Sequence, residues 1–172
     1  MLNYERVFNM SEIPSIIAAL VPGLAEGLAA VGTTLGIMAA ISSGIPVISE
    51  DPASRGKIFI LAFMPMTQTL VYGLSYMFLS YAIIMPGLMS KYGGIIPPHV
   101  AGAILAVSIL VGLAELFSAW KQGQVCALTA AHLIKTRGGI FGTGMILALY
   151  LEFIGVLGMV FGFVMLFIIA GW

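Results

Sequence analysis

Met145-Ile146-Leu147-Ala148-Leu149-Tyr150-Leu151-Glu152-Phe153-Ile154-Gly155-Val156-Leu157-Gly158-Met159-Val160-Phe161 sets one carboxylate in the middle of an apolar run that lasts from Gly139 to Trp172. Such a run exceeds the roughly 20 residues that a bilayer core requires, so it predicts a transmembrane helix. An ionised carboxylate at its centre costs about 2.5 kcal/mol or more, which makes Glu152 a functional-site candidate by default. The purely structural alternative is a protonated Glu152 hydrogen-bonded to a neighbouring helix.

The rest of the chain has the same character. Of its 172 residues 60% are hydrophobic and 8% charged, which excludes a soluble domain and leaves length for about four spans. Seven basic and seven acidic residues balance, so no basic patch points to nucleic acid and no polybasic tail to lipid headgroups. Cys126 has no second thiol to pair with, and beside Gln124 and His132 it makes a poor metal site; core packing is its expected role. The first ten residues carry neither a basic n-region nor a small-residue cleavage site, so no cleaved signal is expected and the first helix is expected to direct insertion.

Charges and turn residues cut the chain into four helices. Helix one runs from Glu12 to Glu50 with Glu26 inside it, Ser11 as a cap and Pro14 in the first turn. Helix two runs from Lys57 to about Gly87 without a charge. Helix three follows Pro97-Pro98, carries Glu115, and continues through Lys121, Gln122 and Gln124 to Lys135; helix four holds Glu152. Ser42-Ser43-Gly44, Pro46, Asp51-Pro52 and Arg55-Gly56 are expected to join one to two, Lys91-Tyr92-Gly93-Gly94 two to three, and Thr136-Arg137-Gly138-Gly139 three to four. The expected organisation is an N-terminal extracytoplasmic segment (1–12), a first helical hairpin (13–90) and a second (97–172). Arg55, Lys57, Lys121, Lys135 and Arg137 flank the one-to-two and three-to-four loops, against Arg6 and Lys91 on the other side. The positive-inside rule then puts both loops in the cytoplasm and both termini outside.

The two halves resemble each other. Gly23-Leu24-Ala25-Glu26 recurs as Gly112-Leu113-Ala114-Glu115, and Arg55-Gly56-Lys57-Ile58-Phe59 as Arg137-Gly138-Gly139-Ile140-Phe141, with an insertion of seven residues between the two offsets. Two fused hairpins in the same orientation form a parallel repeat, which suits a ring better than the inverted architecture of many transporters. Gly32, Gly36, Ala40 and Gly44 line one face of helix one, and Gly23 with Gly27 adds another small pair, so a closely packed inner wall is expected.

A buried carboxylate becomes tolerable when a proton or cation neutralises it and dipoles complete its coordination. Helix two supplies Met64-Pro65-Met66-Thr67-Gln68-Thr69, where Pro65 frees backbone carbonyl oxygen, and helix three supplies Gln122. Gln68 lies 13 residues beyond Arg55, Gln122 13 before Lys135, and Glu152 15 beyond Arg137. All three therefore sit at one depth, roughly 20 Å along their helices from the loops. Thr, Gln and Glu oxygens at one level suit a hard cation such as Na⁺.

Pro65-Met66-Thr67-Gln68, Lys121-Gln122-Gly123 and Leu151-Glu152 with Gly155 and Gly158 resemble the proteolipid, or K subunit, of V-type rotary ATPases, and within them the sodium-transporting bacterial branch. The resemblance covers essentially the whole chain. It implies a membrane ring of identical subunits that turns against a stator subunit with a buried arginine and couples, through central-stalk subunits, to a cytoplasmic ATPase head. By position it implies Glu152 as the ion-binding carboxylate, Thr67, Gln68 and Gln122 as side-chain ligands, and Met64 as a backbone-carbonyl ligand. The transported ion would be Na⁺, or H⁺ in the alternative, with no resident cofactor and no catalytic site in the chain itself.

One departure concerns the tyrosine. The sodium branch is similar to Thr-Gln-x-x-Tyr, whereas here that spacing falls on Val71 and the tyrosine is Tyr72. A one-residue shift turns an α-helix by about 100°, which would carry Tyr72 away from the site and leaves Tyr150 as a substitute. Glu26 and Glu115 are a second departure. Glu115 lies seven residues from Gln122 on nearly the same face, where it could extend the ion site or line the ring interior; the structural alternative is a protonated or headgroup-level Glu in the outer leaflet. A different class of reading is an independent small transporter or channel. A lipid-modifying enzyme fits least, because no nucleophile–base pair appears and His99 and His132 lie near loops.

Overall fold

The computed structural model describes residues 12–172; the expected Ser11 cap and Arg6 lie outside the described residues. Among the described residues, four helices are long and apolar enough to cross a membrane: α1 (Ile13–Glu50), α2 (Pro52–Lys91), α3 (Pro98–Ala131) and α4 (Ile140–Ala170). The protein is thus an all-α integral membrane protein. At 38 residues α1 is about 57 Å long, well beyond a bilayer core of about 30 Å, so its end must project into water.

Two expected boundaries move. Ser42, Ser43, Gly44 and Pro46 do not belong to the first connection, because α1 passes through them to Glu50. Ser42 and Ser49 turn their hydroxyls back onto the carbonyls of Met38 and Ile45, and Gly44 is small to admit Ile58 of α2, not to make a turn. The connection is confined to the residues around Asp51, whose carboxylate accepts from the Ala53 N–H at 3.2 Å and the Ser54 hydroxyl at 2.6 Å. Helix three ends at Ala131, four residues short of Lys135. The chain is then turned back by the Gly138 N–H donating to the Leu133 carbonyl, with Arg137 and Gly138 both at positive φ.

Glycine decides how α1 meets α3. A Cβ on Gly32 would strike the backbone of Leu116, one on Gly123 the backbone of Gly36, and one on Gly112 would lie 3.0 Å from the Ala25 Cα. Lipid tails give apolar side chains no reason to leave them for one another, so close backbone approach and dispersion must supply the attraction. The contacts climb together, 25 with 112, 32 with 116 and 36 with 123, so α1 and α3 run parallel as two copies of one hairpin should. Gly27 faces open space and takes no part.

Helix α2 is less regular. Pro65 lies in a 3₁₀ turn, Met64–Met66, followed by a π turn, Gln68–Gly73, and a second π turn, Ser80–Ile84, precedes Pro86. Each proline lacks the N–H an α-helix would use, and the backbone regains its bonds by changing its pitch.

Substituting Gly123 by Val should force α1 and α3 apart and cost about 1–3 kcal/mol or more, lowering the thermal unfolding midpoint in detergent. Gly27→Ala, whose methyl meets nothing, should not lower that midpoint, since Ala is the better helix former.

Candidate functional site

Glu152 is half-buried on α4 and lines a surface groove with Phe59, Ile60, Phe63, Met64 and Thr67 of α2. Its two oxygens are held by different helices. The Tyr72 hydroxyl donates to Oε1 at 2.9 Å, and Gln122 Nε2 donates to Oε2 at 3.1 Å. Gln68 and Gln122 are fully buried, and Gln68 Nε2 donates to Gln122 Oε1 at 3.1 Å and to Ser118 Oγ at 2.9 Å. Ser118 in turn donates to the Leu151 carbonyl at 2.7 Å, next to Glu152 itself. The three side chains matched by depth in the sequence therefore form one connected chain of hydrogen bonds across α2, α3 and α4.

The Tyr72 expectation is corrected. Its hydroxyl reaches Glu152, while Val71 is 47% exposed on the outer surface. A step of 100° per residue belongs to an α-helix, whereas Gln68–Gly73 is a π turn, which holds about one residue more per turn. The extra residue between Gln68 and Tyr72 is absorbed there, so the tyrosine faces the carboxylate. Tyr150 is 61% exposed two residues before Glu152, on another face, and is no substitute.

Thr67 and Met64 stand at the outer edge. Thr67 Oγ1 lies 3.1 Å from both the Met64 carbonyl and Gln68 Oε1, which gathers a hydroxyl, a carbonyl and an amide oxygen beside the groove. The Pro65 carbonyl is taken by Thr33 of α1 at 2.9 Å, and Thr33 also pairs with Thr69 at 2.7 Å. Ser118 and Thr33 were missed by the sequence reading; Ser118 falls between Glu115 and Gln122 on one α3 face, a spacing that could have marked it. Cys126 is buried with its sulfur 3.8 Å from that of Met64, as a packing residue. Glu115 and Glu26 do not join the hydrogen-bond network around Glu152.

Residues 20–80 and again 105–165 match the family of the ATP synthase C subunit, once for each hairpin. The chain belongs to the ATP synthase C-subunit family. That family is the rotor-ring proteolipid of ATP synthase-type complexes, a structural component and not a catalytic one. The chain is also similar to the A-type ATP synthase subunit K of Methanocaldococcus jannaschii, 29% identical over 153 residues that cover 89% of this chain. It spans 63% of that relative's length. The family match in both halves agrees with the parallel packing of α1 on α3.

The Tyr72 hydroxyl makes a hydrogen bond to a group able to carry charge, worth about 1.5–3 kcal/mol. Tyr72→Phe should therefore weaken binding of any cation at Glu152 by roughly ten- to a hundredfold. Val71→Phe, on the outer face, should leave it unchanged. Competition of the cation with carboxyl-specific labelling of Glu152 measures both.

Proposed function

We propose that Glu152 is the ion-carrying carboxylate of a rotor ring that moves Na⁺ across the membrane. The observation that carries this reading is that both hydrogen-bond partners of Glu152, a phenol and an amide, are neutral. A fixed cation would hold the charge permanently; neutral dipoles leave it to a mobile ion that can be loaded and discharged. The hydroxyl of Thr67, the amide oxygen of Gln68 and the carbonyl of Met64 adjoin the same groove, and an amide rotation of Gln122 would add another oxygen. That donor set suits Na⁺.

In this account the loaded, neutral face of Glu152 crosses lipid within a ring of identical subunits, and a buried arginine of a stator subunit displaces the ion. Central-stalk subunits link the ring to a cytoplasmic head. The basic residues at the one-to-two and three-to-four loops favour the cytoplasm for those loops and the outside for both termini.

A proton rotor of the same architecture is the second reading. It is favoured by the amide of Gln122, whose nitrogen faces Glu152 while its oxygen is taken by Gln68. With Gln122 donating to one oxygen, a protonated Glu152 could turn its O–H onto the Tyr72 oxygen, which accepts as well as donates.

Glu152→Gln should abolish ATP-driven ion transport in the assembled complex while leaving the ring intact, because the amide keeps the shape but takes up no charge. Transport near the wild-type rate would contradict the assignment. Carbodiimide attacks protonated carboxyls, so Na⁺ at alkaline pH should protect Glu152 from it, and protection should fade as pH drops and protons compete. Gln68→Leu should raise the protective Na⁺ concentration roughly ten- to a hundredfold. Labelling that follows pH and ignores Na⁺ would select the proton rotor.

A further inference from the structure

Glu115 is 0% exposed, and among the described residues neither of its carboxyl oxygens has a hydrogen-bond partner; Glu26 Oε2 is likewise buried and unpartnered. The room around these groups is made by glycines on two other helices. A Cβ on Gly155 of α4 would come within 2.7 Å of Glu115 Oε2, and one on Gly158 would lie 3.6 Å from Oε1. A Cβ on Gly73 of α2 would run into Glu26 Oε2. The Glu115 carboxyl thus occupies space that α4 leaves open inside the bundle, and one oxygen of the half-buried Glu26 occupies the space left by Gly73 of α2.

The nearby donors are committed elsewhere. The Tyr72 proton goes to Glu152, and Ser118 gives its proton to the Leu151 carbonyl while accepting from Gln68. Lys121 of α3 lies on the exposed surface beside Gln124 and the Trp120 ring. On the outer side Ile104, Val107, Val111 and Leu166 are buried in one apolar cluster that keeps water out. Among the described residues, the ionisable groups facing Glu115 are Glu26 from α1, Tyr72 from α2 and Glu152 beyond it on α4, none of them a cation. An ionised Glu115 would therefore have neither water, nor donor, nor counter-charge, and would be strongly disfavoured.

We infer that Glu115, with Glu26 as its neighbour, is a second proton-binding site of the protein, enclosed between the four helices and separate from the lipid-facing Glu152. A proton suits the site better than a metal cation. It needs one oxygen, whereas Na⁺ would need several, and the pair offers three unpartnered ones from side chains that already repel each other when ionised. The site is a dead end for transport, because the apolar cluster closes its outer side. Its effect is to keep Glu115 neutral while Glu152 exchanges its ion, so that one charge per copy of the chain changes at the rotor surface. The same enclosure of Glu115 holds whether Glu152 carries Na⁺ or H⁺.

Infrared spectroscopy of the purified ring tests it, since a protonated carboxyl shows a carbonyl stretch that a carboxylate lacks. In Glu152→Gln at neutral pH such a band should persist, and its downshift in D₂O should be slow because the group is enclosed. Adding Glu26→Gln should retain the band, and adding Glu115→Gln to both should remove it. If the triple variant fails to assemble, the wild-type ring provides the test: ¹³C-labelling of glutamate should shift a carbonyl band that remains when Glu152 has been modified by carbodiimide. Absence of the band in Glu152→Gln, or its loss with Glu26→Gln alone, would overturn the assignment to Glu115.

Discussion

A carboxylate halfway along a membrane helix has to be neutralised, and how Glu152 is neutralised constrains the other helices. Its partners must come from outside α4, because that helix spends its own polar groups on its backbone ladder. Tyr72 and Gln122 supply them from two different helices, and Gln68 and Ser118 hold Gln122 in turn. These partners are neutral, so neither of them gives Glu152 a counter-charge. That property separates the site from a structural salt bridge.

Backbone geometry serves this arrangement at two points. Close approach of α1 to α3 through Gly32, Gly36 and Gly123 fixes the face of α3 that carries Glu115, Ser118 and Gln122. The irregular stretch of α2 does the rest: Pro65 breaks the regular ladder, and the π turn after it aims Tyr72 inward and Val71 outward. Beside Glu152 the pitch changes in the 3₁₀ turn Met64–Met66 and the π turn Gln68–Gly73, and a second π turn, Ser80–Ile84, lies farther along α2.

Most of the fold was legible in the sequence because lipid imposes simple rules. Apolar runs marked the four helices, charges marked their ends, and counting residues from the loops put Gln68, Gln122 and Glu152 at one level. What failed had local causes. Gly44 and Pro46 look like turn residues, although the glycine serves packing and the helix tolerates the proline. Tyr72 falls out of register because periodicity presumes a constant pitch, and a π turn leaves no mark in residue spacing except the misfit itself. The enclosure of Glu115 depends on glycines of α2 and α4 far away in sequence, which no single helix reveals.

The central claim, that Glu152 in its neutral cradle binds the transported cation, is tested most directly by equilibrium binding of radioactive Na⁺ to the purified ring without nucleotide. The account predicts saturable binding of one Na⁺ per copy of the chain at alkaline pH, displaced by protons and lost in Glu152→Gln. Saturable binding that survives the loss of Glu152 would contradict it.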